Sequence, residues 1–147
     1  EEPTMKHIQQ LEKQQIPQAL DLAWEVFEKY VGIDYTQRGI DEFYQFLHTP
    51  SLTKPLVYYG AFDKNQMIGM IAMRNNHIAL FFVKDTHQHL GIGKALFTYM
   101  LTQIPDHRIS VNSSPYATEI YRELGFCATE HMKEENGIRF LPMFYNR

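Results

Sequence analysis

The stretch Gln88-His89-Leu90-Gly91-Ile92-Gly93-Lys94 lies between an apolar run, Ile78 to Val83, and a segment carrying Leu96, Phe97, Met100 and Leu101 at helical spacing. Its placement matters more than its letters. Two glycines let the backbone turn tightly and approach a ligand, and the first N–H groups of the following helix point outward with the positive end of its dipole. Consecutive exposed N–H groups form an anion-binding concavity, to which Lys94 and the Gln88 side chain can add donors. The segment reads as a seat for phosphate.

Two common phosphate motifs fail by counting. A Walker loop needs glycine, four residues, then Gly-Lys-Ser/Thr, whereas these glycines are two apart and Ala95 follows Lys94. A dinucleotide fingerprint needs a third small residue three beyond Gly93, where Leu96 stands. Some other nucleotide-phosphate protein stays open, and it would be stabilised by ATP.

Upstream of the loop, Leu56 to Phe62, Met67 to Arg74 and His77 to Val83 are strand-like runs parted by Asp63-Lys64-Asn65-Gln66 and Asn75-Asn76, which predicts a three-stranded meander. Lys6 to Leu11 is a plausible opening strand. Pro17 then suits a first helical turn, and Leu20, Ala23, Trp24, Phe27, Tyr30 and Val31 give one apolar helix face that Gly32 can end. Ile40, Phe43, Phe46 and Leu47 repeat this in a second helix that Pro50 stops. Downstream, the loop's own helix closes at Pro105. Arg108 to Val111 reads as a strand and Tyr116 to Leu124 as a helix ended by Gly125. A final strand pair, Phe126 to Met132 and Ile138 to Phe144, is joined across Glu134-Glu135-Asn136-Gly137. The order β-α-α-β-β-β-α-β-α-β-β predicts an α/β, mixed α+β fold, parallel only where a helix crosses over.

The chain has 147 residues, 44% of them hydrophobic and 21% charged. A domain of this length buries roughly 70% of its unfolded surface, enough for one core over residues 1–147. Its longest apolar runs fall far short of the roughly 20 residues that span a bilayer, so no membrane role is expected. A net charge of −3 without a basic stripe argues against nucleic acid. The lone thiol at Cys127 excludes an intramolecular disulfide and Cys-rich zinc sites, and with no basic-then-apolar leader it fits a cytoplasmic protein. His87 and His89 read as exposed loop residues with no partner carboxylate, rather than as a metal site, and Cys127 as a small core residue. No metal is expected.

Gln88, Gly91 and Gly93, following a strand that ends at Phe81 and Val83, resemble the pattern of the GNAT superfamily of acyl-CoA-dependent N-acetyltransferases. A second block agrees: Val111-Asn112-Ser113-Ser114-Pro115-Tyr116-Ala117 followed by Tyr121-Arg122-Glu123-Leu124-Gly125-Phe126 is similar to that family's Asn, Ala, Tyr and Leu-Gly-Phe segment. The resemblance implies a GNAT-like fold, a mostly antiparallel mixed sheet of about seven strands with four helices. It implies acetyl-CoA as cosubstrate and an amine as acceptor. Two parallel strands ending near Val83 and Asn112 should splay apart, leaving the backbone at Phe82 and Val83 free for the pantetheine amides. Phe81, Phe82 and Val83 then face the cofactor. Gln88, His89, Leu90, Gly91, Ile92, Gly93 and Lys94 take its pyrophosphate, and Asn112, Ser114 and Tyr121 meet its thioester end. The family's Asn comes seven residues before the tyrosine, where this chain has Ser114, so both Asn112 and Ser114 are carried.

The same resemblance makes Tyr121 the general acid and His77, which opens its strand, the candidate base. Glu25, Asp34 and Tyr35 belong to the helical region that walls the acceptor site in similar proteins. Polyamine, aminoglycoside, amino acid, peptide amino terminus and protein lysine all fit as acceptors, and since similar enzymes often dimerise, a homodimer is an open expectation. The rival from another class is a catalytically silent acyl-CoA-binding sensor or scaffold.

Overall fold

The computed structural model describes residues 7–147. Lys6, expected to begin the first strand, lies outside the described residues. Eight strands form the order β1-β2-β3-β4-β5-β8-β6, with β7 pairing to β8. In chain order the elements are β1 (His7–Gln10), α1 (Ile16–Val26), α2 (Gln37–Leu47), α3 (Pro50–Thr53), β2 (Val57–Asp63), β3 (Gln66–Arg74), β4 (His77–Val83), α4 (Ile92–Gln103), β5 (Arg108–Ser113), α5 (Thr118–Leu124), β6 (Cys127–Ala128), β7 (Lys133–Glu135) and β8 (Ile138–Asn146). This is the expected mixed, mostly antiparallel sheet; β4 and β5 are its parallel pair.

The meander follows from its turns. Asp63 pairs with Gln66 and Arg74 with His77, and Lys64, Asn65 and Asn75 all hold positive φ. Asparagine tolerates that conformation better than most side chains. α1 packs on β3 and β4 from one face, and α4 packs on β2, β3 and β4 from the other. Leu22, Ala23, Val26, Met70 and Leu80 are buried under α1, and Ile71, Ile78, Leu96, Met100 and Ile109 under α4.

One irregularity shapes the molecule. Along β3 and β4, Met73 faces Ile78 but Ala72 faces Leu80, so Ala79 is an extra, bulged residue. A bulge bends its strand and sharpens its twist. β4 accordingly pairs with β5 only at His77 and Ile78, opposite Ser110 and Val111, and then departs from it.

Several elements differ from expectation. α2 ends at Leu47, and Pro50 opens the short α3, where a missing N–H leaves no bond unmade. α1 continues as a π-helical turn, Phe27–Val31, and a 3-10 turn, Gly32–Asp34. The strand expected from Phe126 to Met132 is split: Cys127 and Ala128 pair with Phe144 and Met143, and pairing resumes only at Lys133–Glu135. The turn is Asn136-Gly137, both at positive φ, so Glu134 and Glu135 belong to β7. Cys127 is exposed rather than in the core. Phe126, just before β6, takes the buried position, and both residues of the short edge strand β6 are exposed.

Candidate active site

Gly91 caps α4 in the left-handed conformation, at φ 82, and the first intrahelical bond runs from the Ala95 N–H to the Gly91 carbonyl at 3.0 Å. Among the described residues, no protein acceptor meets the N–H groups from His89 to Lys94. His89 shares the left-handed conformation at φ 65. A Cβ on Gly91 would meet nothing within 4 Å. The turn therefore presents a run of unpaired donors to open space, which is what an anion needs.

The loop is anchored from outside. His87 Nε2 lies 3.1 Å from Asp63 Oδ2, Lys29 donates to Asp85 at 2.7 Å, and Lys84 lies 3.9 Å from Glu25. Hence His87, expected as exposed and without a carboxylate, is half-buried against the β2–β3 turn.

The unpaired amides border a cleft of about 570 Å³ that follows the gap between β4 and β5. Of the residues expected at the cofactor, all but Leu90 line it. Leu90 is 63% exposed and lies outside its wall. The register refines the expected backbone. Lys84 donates its N–H to the Ile68 carbonyl at 2.7 Å, and Phe82 sits opposite Met70. Alternation then turns the peptide groups of Phe82 toward β3 and those of Phe81 and Val83 into the gap. Phe81, not Phe82, is the partner of Val83 on the free edge.

Gln88 closes part of that edge. Its Nε2 donates to the Val83 carbonyl at 3.0 Å, and its Oε1 accepts from the Tyr116 hydroxyl at 3.2 Å. The Tyr116 ring stacks on Tyr30 at 5.5 Å, so one chain of contacts links the π-helical turn, the β5–α5 loop and the anion turn. Sequence reasoning missed Tyr30 and Tyr116. Their only signal was an aromatic at each position.

Tyr121 is buried, with its ring edge-on to Phe81 at 6.0 Å and to Phe126 at 5.2 Å. Burial pushes its phenol above the ordinary tyrosine value, so the group holds its proton throughout the neutral range. Asn112 and Ser114 both line the cleft. The Ser114 Oγ accepts from the Ala117 N–H at 3.2 Å, shaping the approach to α5.

The other expected residues divide. Tyr35 lines the cleft, whereas His77, Glu25 and Asp34 do not. His77 Nδ1 lies 2.8 Å from Ser110 Oγ in the paired part of β4 and β5, and burial, helped by Arg74, lowers its pKa. Burial and the neighbouring Asp34 raise the Tyr35 phenol to about 12. Near Tyr35, the Asn136-Gly137 turn docks on the start of α2. Thr36 donates its N–H to the Gly137 carbonyl at 3.2 Å, and Arg38 donates to Asn136 Oδ1 at 2.8 Å. Among the described residues, no group of three His, Cys, Asp or Glu side chains could hold a metal, and no helix is long and apolar enough to cross a membrane.

A sheet parted between two parallel strands, beside an anion-binding turn at a helix start, is the framework of an acyl-CoA-dependent transferase. The chain belongs to the GNAT acetyltransferase domain family, whose model matches residues 31–146. Comparison with curated protein sequences gave no match. Among solved structures, a GCN5-related N-acetyltransferase from Rhodopseudomonas palustris is similar at TM-score 0.83 and 12% identity, over 96% of this chain and 95% of that one. The PaiA N-acetyltransferase of Thermoplasma acidophilum, solved with coenzyme A, gives 0.72 and 16% over 97% and 99%. ElaA of Escherichia coli gives 0.69 and 17% over 97% and 100%. At these identities the likeness is one of fold.

Proposed function

We propose that the protein is a single-domain, cytoplasmic N-acetyltransferase that moves an acetyl group from acetyl-CoA to a primary amine of a small molecule or peptide, by direct transfer in a ternary complex. One observation carries the reading: the unpaired N–H groups of His89 to Lys94 share a cleft with the part of β4, Phe81 and Val83, that β5 does not pair, where among the described residues Gln88 alone reaches the Val83 carbonyl. The turn suits a pyrophosphate, and the edge suits the amides of a pantetheine arm with Asn112 and Ser114 beside it. That the Thermoplasma acidophilum relative was solved with coenzyme A supports the same assignment.

Holding both substrates in one cleft supplies much of the acceleration. The amine nitrogen attacks the thioester carbonyl, a backbone N–H of the free β4 edge stabilises the oxyanion, and the carbon–sulfur bond breaks. Tyr121, protonated at neutral pH, gives its proton to the departing thiolate. His77 is kept neutral by burial and takes the amine proton by way of water, since it stands outside the cleft wall.

The test measures free thiol released from acetyl-CoA in the presence of primary amines. Amine-dependent release supports the reading. Acetyl-CoA binding without such release would identify a sensor or scaffold, and stabilisation by ATP but not acetyl-CoA would overturn the cofactor.

A further inference from the structure

We infer that Asp63, which ends β2, and His87 form a positioning pair that sets the anion turn for the cofactor's diphosphate; the inference rests on the transferase reading above. β4 stays bonded to β3 as far as the Lys84 N–H, and α4 begins at Ile92. The connection between them is costly to hold. His89 sits at φ 65, a conformation that few side chains other than glycine adopt and that persists only where the surroundings enforce it.

Three ion pairs reach this connection, and they are not equal. Lys29 is 50% exposed in its pair with Asp85, and Glu25 is 40% exposed in its pair with Lys84, settings in which an ion pair contributes little. His87 and Asp63 are 19% and 20% exposed. Both ring nitrogens of His87 are engaged: Nε2 lies 3.1 Å from Asp63 Oδ2, and Nδ1 lies 2.8 Å from the Thr86 hydroxyl. A carboxylate only accepts, so Nε2 carries a proton and donates it to Asp63. The main chain is held as well, since the His87 N–H donates to the Lys84 carbonyl at 2.9 Å. With ring and backbone both fixed, His87 sets the point from which the chain enters the left-handed conformation at His89.

The cleft wall separates the two roles. His87 lines it and Asp63 does not, so the carboxylate reaches the cofactor only through the imidazole. The pair thus ties the anion turn to the meander. Donors ordered in advance bind more tightly than donors that must be ordered at binding. Released from Asp63, the connection can relax the left-handed residue, and the N–H groups lose their common direction.

The experiment uses the full chain below its unfolding range, with thermal melts of every variant. Calorimetry reads acetyl-CoA, and an NMR titration reads S-acetylpantetheine, which keeps the thioester and the amide arm but has no phosphate. Asp63→Ala should raise the acetyl-CoA Kd about 10-fold or more, the worth of a hydrogen bond to a charged group, and change S-acetylpantetheine binding by less than about 2-fold. Asp63→Asn keeps an acceptor for Nε2 and should stay within about 3-fold of the parent. His87→Ala and the double variant His87→Ala/Asp63→Ala should bind acetyl-CoA alike, because the two residues act as one unit. Parental acetyl-CoA affinity in Asp63→Ala, equal losses for the two ligands, asparagine no better than alanine, or additive losses in the double variant would each overturn the inference and leave the pair a role in stability alone. Those results leave the transferase reading standing. A parent that binds no acetyl-CoA removes that reading and the inference with it.

Discussion

Alanine at Gly39 would put a methyl carbon 2.3 Å from the carbonyl oxygen of Gly137 and 2.8 Å from its carbon. Ordinary contact begins at 3.4 Å, and both obstructing atoms are backbone, so the Asn136-Gly137 turn has to retreat by about 1 Å. The retreat breaks the Thr36 N–H bond to Gly137, now 3.2 Å, and strains the Arg38 bond to Asn136, now 2.8 Å. Overpacking, at about 1–2 kcal/mol, and a lost hydrogen bond, at about 1 kcal/mol, together cost roughly 2–3 kcal/mol. Better helix propensity returns up to about 1 kcal/mol. The net loss of about 1–2 kcal/mol corresponds to a fall in Tm of roughly 3–6 °C for a domain of this size. Gly93→Ala is the control, because its Cβ would meet only Phe81 and Val83 side-chain atoms at 3.8 Å. Its stability should equal the parent's or exceed it by up to about 1 kcal/mol. Thermal melts of the three proteins decide the matter. A Gly39→Ala protein as stable as the parent would show that the turn is not seated on α2 as described, and a Gly93→Ala protein that loses as much would show that the Gly39 loss is not specific to that turn.

Other outcomes are equally specific. Tyr121→Phe should lower kcat by about 10²-fold or more, the usual worth of a proton donor, while acetyl-CoA affinity changes little; unchanged turnover with chemistry rate-limiting would remove the acid role. Tyr116→Phe keeps the stack on Tyr30 but frees Gln88 from its hold on the Val83 carbonyl. Acetyl-CoA should then bind about 2–5-fold more tightly, since one neutral hydrogen bond is worth about 0.5–1 kcal/mol, and weaker binding by calorimetry would contradict the latch. His77 has a folded pKa below its ordinary 6.5, so its contribution to stability is present above pH 6.5 and is lost as pH falls toward the lowered value. The Tm of the parent should drop more steeply below pH 6.5 than that of His77→Gln; parallel curves would show that His77 is not buried neutral.

What the sequence revealed followed from local chemistry. Gly91 announced the anion turn because a left-handed residue at a helix start favours glycine, and Asn65 and Asn75 announced the meander turns for a related reason. Tyr121 was found through its distance from Leu124-Gly125-Phe126. Long-range features left no such mark. The bulge at Ala79, which parts β4 from β5, depends on register against β3, and Ile78-Ala79-Leu80 alternates no differently from an unbroken strand. The π-helical turn carries its apolar residues at the same spacing as an α-helix, so the Tyr30 contact with Tyr116 could not be read. His87 gained a carboxylate, and Gly39 a turn against its face, from segments distant in the chain. Cys127 was misplaced because the apolar Phe126 beside it suggested a buried strand, whereas β6 is a two-residue edge strand whose Cys127 and Ala128 are both exposed.

A crystal structure of the protein with acetyl-CoA bound tests the phosphate turn and the open strand edge together. The pyrophosphate oxygens should lie about 2.7–3.2 Å from N–H groups between His89 and Lys94. The pantetheine arm should run along Phe81 and Val83, with Gln88 withdrawn from the Val83 carbonyl. A diphosphate bound away from this turn, or β4 and β5 paired regularly beyond Ile78, would contradict the assignment.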